Sequence, residues 1–450
     1  MRRKIYDELL KWKKESKGEV ALLIDGARRI GKSYIVEQFA RENYKSYILI
    51  DFNKVGEEIK KLFDNYLDDL DTLFMYLSNY YKTDLYERES IFIFDEVQLC
   101  PRARSAIKYL VEDGRYDYIE TGSLISIKKN VENILIPSEE RHIYMHPMDF
   151  EEFLWAMDNE NLMDFIKKCY KDKKPLGQLM HRKVMDYFKQ YLIVGGMPQA
   201  IEKYIITKDF KEVDLIKRDI LNLYKEDIVK YGGDDKNRVQ SIFEEIPSQL
   251  QKHEKRFTFN SLGKNARYRE YNGAFFWLQE SMMVNIAYNT TEPNIGLRLN
   301  RESSALKCYM GDTGLLLSLA FDEKGIMDEE IYKKILFDKL SFNEGMIMEN
   351  IVAQMLVSSG RKLYFYFNYD KKDSNNNIEI DFLISKNKIT SKHNVSPIEV
   401  KSGKNYTHTS LNKFKAKYKD YLYTNYILHT NDLKEENGIL YLPIYMTELI

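Results

Sequence analysis

Cysteine is scarce in this chain: Cys100, Cys169 and Cys308 are the only three in 450 residues, odd in number and far apart. That spacing excludes a disulfide framework and offers no Cys-rich zinc site, so all three read as packing residues. Net charge is nearly absent too, at −1 from 68 basic and 69 acidic residues. So balanced a chain carries no overall footprint for nucleic acid, and any such surface must be local. Long apolar runs are also lacking. Gly314 to Phe321 is far too short to span a bilayer, and Met1-Arg2-Arg3-Lys4 leads into a charged amphipathic helix without the apolar core of a signal peptide. A cytoplasmic chain is the expectation. His142 and His146 have a spacing that suits a metal on a helix, but Arg141 to Pro147 reads as a strand ending at proline, so no metal is expected there. Aromatics, by contrast, are plentiful, with 34 Tyr and 23 Phe in a composition that is 44% hydrophobic. This allows real cores, and the length predicts about three domains.

The most specific positive feature is Gly26-Ala27-Arg28-Arg29-Ile30-Gly31-Lys32-Ser33, a complete phosphate-binding loop. The apolar run Val20 to Asp25 before it has strand length, and Tyr34 to Asn43 after it reads as a helix, the context such a loop requires. Gly26 and Gly31 let the backbone turn tightly enough for successive N–H groups to face phosphate oxygens, and the helix adds the positive end of its dipole. Lys32 is expected to reach the β- and γ-phosphates and Ser33 to place its hydroxyl on Mg²⁺. The implied ligand is ATP or GTP.

Ile91-Phe92-Ile93-Phe94-Asp95-Glu96 supplies the partner site. Four apolar residues in a row suit a strand buried on both faces of a parallel sheet, with the carboxylates arriving at the end where open α/β sheets bind ligands. Asp95 is placed to hold Mg²⁺ through its water shell, and Glu96 to orient or deprotonate the attacking water. An acidic turn after a core strand would leave the same two residues. A third strand, Tyr116 to Glu120, ends in Thr121-Gly122-Ser123, whose hydroxyls suit contact with the γ-phosphate or the water; a capping or turn role is open for either.

Alternating strands and helices from Gly18 to Pro147, with Tyr47 to Asp51 as a further strand, fit one α/β domain. A mostly helical region begins at Met148 and runs through Gly195-Gly196-Met197-Pro198, read as a hinge between helices, to Tyr231. Gly232-Gly233-Asp234-Asp235 is the best linker candidate. Beyond it, a helix up to Leu250, then Phe257 to Asn260, Ser261 as a cap, a second helix, a third from Tyr271 to Met283 and a strand from Val284 to Tyr288 have the rhythm of a winged helix-turn-helix. Its basic residues Lys252, Lys255, Arg256, Lys264, Arg267 and Arg269 suit contact with a DNA backbone. A solvated face on a protein-interaction module fits them equally.

The last third brings a helix with Glu344, Glu349 and Asn350, a strand from Lys362 to Tyr369, the alternating strand Ile378 to Ile384 with Asp381, and Pro397-Ile398-Glu399-Val400-Lys401. Side chains on a strand alternate, so Glu399 and Lys401 share a face. Asp381 and Glu399 on neighbouring strands would share a hard divalent cation, Lys401 would orient the water or stabilise charge on phosphate, and Glu349 would complete the shell. This is the D…ExK arrangement of restriction-type nucleases; an exposed charged strand face explains the same residues.

Taken in order, the loop with its paired arginines, Asp95-Glu96-Val97-Gln98, Thr121-Gly122-Ser123, Pro147 to Phe153, Gly195-Gly196-Met197-Pro198 and Glu349…Asp381…Glu399-Val400-Lys401 resemble prokaryotic AAA-type ATPases, similar to archaeal ATPase and STAND-like P-loop proteins with a C-terminal domain of unknown function. The resemblance implies an α/β multidomain chain: a parallel-sheet ASCE P-loop domain (1–155), a helical lid (156–235), a winged helix (236–310) and a restriction-endonuclease-like α/β domain of PD-(D/E)xK type (311–450). It makes Lys32 and Ser33 the Walker A residues, Asp95 and Glu96 the Walker B pair, Thr121 or Ser123 the sensor, and Glu349, Asp381, Glu399 and Lys401 a nuclease-like quartet. The family often has Gly-Arg before the Pro147 segment, whereas here Glu140 precedes Arg141. Arg141 is thus a candidate γ-phosphate sensor or arginine finger beside a plain surface-strand reading. The expected function is an ATPase whose nucleotide state, closing a lid about Gly195-Gly196, repositions the winged helix and a metal-dependent nuclease domain on DNA. The rival is a nucleotide-dependent switch whose terminal domain binds DNA or protein without cutting.

Overall fold

The computed structural model describes residues 1–124, 138–252, 254, 256–294, 296–321, 332, 344–373, 376–386, 391–403 and 406–450. It divides into two units, one of Met1–His146 with Glu280–Met282, the other of Pro147–Gln279 with Met283–Ile450. Among the earlier residue assignments, Lys255 lies outside the described residues.

In the first unit, β1 (Ala21–Asp25), β2 (Ser46–Asp51), β3 (Ser90–Asp95), β4 (Asp117–Gly122) and β5 (Glu140–Tyr144) form a sheet in the order β2-β3-β4-β1-β5. Every pairing is parallel. Helices cover the faces of such a sheet, so its central strands are buried on both sides and read as unbroken apolar runs; β1, β3 and β4 are buried at every position. Among the described residues β5 pairs with β1 alone, and it is largely exposed. One face is filled by aromatics. Phe52, Phe63 and Phe94 meet edge to face at centroid distances of 5.8, 5.8 and 5.5 Å, a geometry worth about 1 kcal/mol per pair beyond burial.

In the second unit, β6 (Val284–Thr290), β7 (Arg301–Met310), β8 (Tyr364–Asn368), β9 (Ile378–Ser385), β10 (Val395–Val400), β11 (Asn425–His429), β12 (Lys434–Glu436) and β13 (Ile439–Pro443) form a mixed sheet in the order β12-β13-β11-β10-β9-β8-β6-β7. Tyr366, Ile380, Leu383, Leu411, Phe414, Ile427 and Tyr441 pack on one another in its core.

Three expectations are corrected here. First, the strand expected to open a wing is β6, which pairs in parallel with β8 at Tyr288↔Tyr364. The sheet thus crosses the anticipated limit at 310. Second, no helix follows Ser261. Phe259–Ser261 is one 3-10 turn, Gly263 has φ +158°, and the next helix starts at Tyr268. Ser261 accepts a hydrogen bond from Gln249 Nε2 at 2.6 Å instead of capping.

Third, Gly195-Gly196 is a packed joint and not a hinge. Gly196 N–H donates to Asp312 Oδ2 at 2.5 Å, and its carbonyl accepts from Met148 N–H at 2.7 Å. Asp312 Oδ1 meanwhile caps the helix Thr313–Ala320 through Leu315 N–H at 2.9 Å. Gly195 has φ +81°, and a Cβ there would overlap Asp312 Oδ1. Tyr191 donates to the Met148 carbonyl at 2.8 Å and accepts from Gln354 at 3.1 Å. A buried knot with its polar groups satisfied resists bending.

Candidate active site

β1 delivers Gly26 to the edge of the first sheet and Gly31 turns the chain, at φ 92°, into the helix Lys32–Asn43. That helix has no side-chain cap, so its leading N–H groups face the loop. A Cβ on Gly26 would overlap Ile30 and the Met145 carbonyl, so only glycine fits there. Arg29, at φ 69°, is also left-handed. The Lys32 ammonium is buried and donates to the Gly26 and Ala27 carbonyls at 2.7 and 3.0 Å. Burial pulls its pKa below the ordinary lysine value, against the attraction of Glu96, Asp25 and Asp95. Arg3 adds an unforeseen support: it donates to Ile30 O at 2.8 Å and to His146 O at 2.7 Å.

β4 lies between β1 and β3, so Asp95 and Glu96 face the loop across one strand. Ser33 Oγ donates to Asp95 Oδ1 at 2.7 Å, and Thr121 Oγ1 donates to the same oxygen. Burial raises the Asp95 pKa; these two hydrogen bonds oppose the rise. Glu96 sits in the left-handed region at φ 52°, a strained conformation that costs about 1–3 kcal/mol and needs surrounding support. The support comes from Gln98 Nε2 at 2.5 Å and Ser123 Oγ at 3.2 Å, both donating to Glu96 Oε2. Ser33, Asp95, Glu96, Thr121 and Ser123 are therefore brought together. Ser33 and Asp95 present the hard oxygens that suit Mg²⁺.

Arg141 is not brought to this group. Residue 141 pairs with Leu22 in mid-strand, and its half-exposed guanidinium bridges Glu15 at 3.3 Å, an arrangement that matches the surface-strand reading. Behind the site, Arg104 holds both Glu120 and Glu140 in buried ion pairs. Burial pushes Glu120 up to about 7, with Arg104 pulling the other way.

A strand–loop–helix bearing Lys32 and Ser33, opposed across one strand by Asp95 and Glu96, defines a P-loop ATPase domain. Residues 19–154 match the family model of an AAA domain, 185–325 a domain of unknown function (DUF8612), and 344–446 another (DUF4143). The N-terminal part is thus an AAA-type ATPase domain, and the second match runs across the anticipated limits at 235 and 310. No curated protein matches the chain. Among solved structures it is similar to the Walker-type ATPase of Pyrococcus abyssi, at 14% identity over 71% of this chain and 95% of that one, with a TM-score of 0.41. The ORC1 protein of Aeropyrum pernix in complex with DNA follows at 10% identity, 72% and 93% coverage and TM-score 0.26. A STAND protein with a tetratricopeptide repeat sensor from Pyrococcus horikoshii gives 10%, 80% and 49%, and 0.27.

The terminal residues also have definite places. Asp381 on β9 and Glu399 on β10 lie on adjacent antiparallel strands, with Asp381 Oδ2 accepting from Val400 N–H at 2.8 Å. Lys401 Nζ stands 2.9 Å from the buried Glu399 carboxylate. Burial lowers the Lys401 pKa, but Glu399, Asp381 and Glu349 together lift it above the ordinary value. The unforeseen member is Lys307 on β7, whose Nζ lies 3.7 Å from Glu349, 3.2 Å from Glu379 and 3.8 Å from Asp381. Among the described residues, no group of three or more His, Cys, Asp or Glu is arranged to hold a metal ion. Glu349 and Asp381 instead face the Lys307 ammonium, whereas Glu399 faces Lys401. Glu379 was findable, since it alternates with Asp381 on one strand face.

The basic residues Lys252, Lys264, Arg267 and Arg269 are exposed, while Arg256 is half-buried over the Phe367 ring at 4.5 Å. The groove beside Arg256, of about 420 Å³, is also lined by Glu254 and Glu302. No helix among the described residues is long and apolar enough to cross a membrane.

Proposed function

We infer that the first unit hydrolyses ATP and that hydrolysis sets the state of a terminal domain that binds a partner without cutting it. The observation that carries the first half is the shared oxygen of Asp95, held by Ser33 and Thr121 while Glu96 is fixed beside it by Gln98 and Ser123. Backbone N–H groups from Gly26 to Ser33 and the Lys32 ammonium would take the phosphates once Lys32 releases the Gly26 and Ala27 carbonyls. Ser33 and Asp95 would hold Mg²⁺, which supplies charge neutralisation on the phosphates. Glu96 accepts the proton of the attacking water, and Thr121 or Ser123 registers whether the γ-phosphate is present. Such contacts are what nucleotide switches gain and lose. Glu96→Gln should retain ATP binding while steady-state hydrolysis falls by about 10²- to 10⁴-fold; an undiminished rate would remove Glu96 from the chemistry.

Of the two terminal-domain readings, Lys307 among the carboxylates favours the one without cleavage. DNA remains the partner class supported by exposed Lys252, Lys264, Arg267 and Arg269, and a protein partner is the alternative suggested by the acids beside Arg256. Incubation of the full chain with Mg²⁺ or Mn²⁺ and DNA, with and without ATP, should leave the DNA intact. Nicking that disappears in Asp381→Ala would reinstate the nuclease.

A further inference from the structure

In the second unit a buried lysine ends among three carboxylates. Lys307 sits in β7, its side chain 1% exposed, opposite Ala287 of β6. Its ammonium is enclosed by carboxylates from two separate elements, Glu349 on the helix Glu344–Ser358 and Glu379 with Asp381 on β9. The Phe365 ring closes another side at 5.2 Å. Each acid is also tied elsewhere: Tyr309 donates to Glu349 Oε2 at 3.1 Å, and Val400 N–H to Asp381 Oδ2 at 2.8 Å. These bonds set the span of the cluster.

Glu379 hydrogen-bonds the ammonium, and Glu349 and Asp381 face it at ion-pair distance. Carboxylate oxygens around Mg²⁺ stand at about 2.0–2.1 Å and around Ca²⁺ at about 2.3–2.6 Å, so a divalent ion needs them drawn inward onto a centre that Lys307 Nζ now fills. Two cations in one low-dielectric pocket repel strongly, and a buried side chain has no free route of withdrawal.

Building on the non-cleaving reading above, we propose that Lys307 is the resident cation of the Glu349–Glu379–Asp381 cluster and excludes divalent metal from it. The metal requirement of the whole chain then lies in the nucleotide site, and the terminal domain meets its partner in a metal-independent manner. Removing the Lys307 ammonium then leaves Glu349, Glu379 and Asp381 without that cation.

The test is Mn²⁺ binding by electron paramagnetic resonance and Mn²⁺-dependent melting, in the full chain carrying Asp95→Asn so that the nucleotide site is silent. With Lys307 intact, no stoichiometric Mn²⁺ binding and no shift in Tm are expected. Lys307→Ala should lose Tm, bind one Mn²⁺ at least about tenfold more tightly, and regain Tm with Mn²⁺ or with methylammonium, a free stand-in for the lost head group. Adding Asp381→Asn should abolish the acquired site. Lys307→Met, which keeps the stem and fills the space, should fold without gaining Mn²⁺. Mn²⁺ bound by the Lys307 form and lost on Asp381→Asn would overturn the proposal, as would a folded Lys307→Ala that gains neither Mn²⁺ nor methylammonium response. The DNA-cleavage assay is separate: intact DNA with Mn²⁺ bound beside Lys307 sinks this inference while leaving the non-cleaving reading in place.

Discussion

Ser33 Oγ donates directly to Asp95 Oδ1 at 2.7 Å, so the hydroxyl and the carboxylate expected to share Mg²⁺ are already in register. Asp95→Asn keeps the shape but removes the charge that Mg²⁺ requires. ATP affinity measured with Mg²⁺ should then drop toward that measured in EDTA, whereas in the native chain the two should differ by at least about tenfold. Equal Mg²⁺ dependence in both proteins would free Asp95 from this role.

Lys32 occupies the loop by bonding its carbonyls, and Lys32→Ala removes the charge that phosphate must attract. Nucleotide binding by fluorescence titration should become undetectable at millimolar ATP. Wild-type affinity would contradict the assignment.

Arg3 pins Ile30 O and His146 O, holding one loop carbonyl away from where phosphate oxygens would lie. Arg3→Ala removes the partner of the buried Ile30 carbonyl, at about 1–3 kcal/mol if it is left unsatisfied, and of the part-buried His146 carbonyl. The ATP KM should rise about tenfold or more while kcat changes little. Arg3→Lys should restore only part, because one ammonium cannot reproduce the guanidinium fork. A fall in kcat alone would place Arg3 in the chemical step.

Gly195 and Gly360 are both left-handed, at φ +81° and +83°, but a Cβ at Gly195 overlaps Asp312 whereas one at Gly360 meets nothing within 4 Å. Gly360→Ala should cost the second unit about 1 kcal/mol, and Gly195→Ala about 2–4 kcal/mol because the Asp312 bonds to Gly196 and Leu315 are disturbed as well. Urea midpoints of the corresponding transition give both values, and equal losses would show the joint to be soft.

His429 is buried at the end of β11, with Nδ1 2.9 Å from Tyr406 Oη. Burial depresses its pKa from 6.5 to about 4. Between those values the folded state binds fewer protons than the unfolded one, so stability is complete above pH about 6.5 and declines as pH falls toward 4, by about 3 kcal/mol in all. His429→Gln should flatten that part of the stability profile, and an unchanged acid slope would assign it to other groups.

The nucleotide site was legible because its chemistry is local: eight consecutive residues bring their own backbone geometry, and Asp95-Glu96 follows an unmistakably apolar strand. Pairings made at a distance leave no such mark. Lys307 is one lysine among many until β7 is seen beside the strands that carry Glu379 and Asp381. Ser261 has the right residue type for a helix cap, and only the approach of Gln249 tells which hydrogen bond it makes. Gly195-Gly196 reads the same way whether it frees a hinge or admits Asp312 against the backbone.

The pairing of β6 with β8 at Tyr288↔Tyr364 has a consequence for the order of events as the chain is made. Every strand of the nucleotide-binding sheet lies before Pro147, so that sheet can close on the ribosome and take up ATP while the second sheet still waits for its middle. Strands β6 and β7, synthesised well before β8, spend that interval with the β6 edge unpaired, the kind of edge on which chaperones act and aggregation begins.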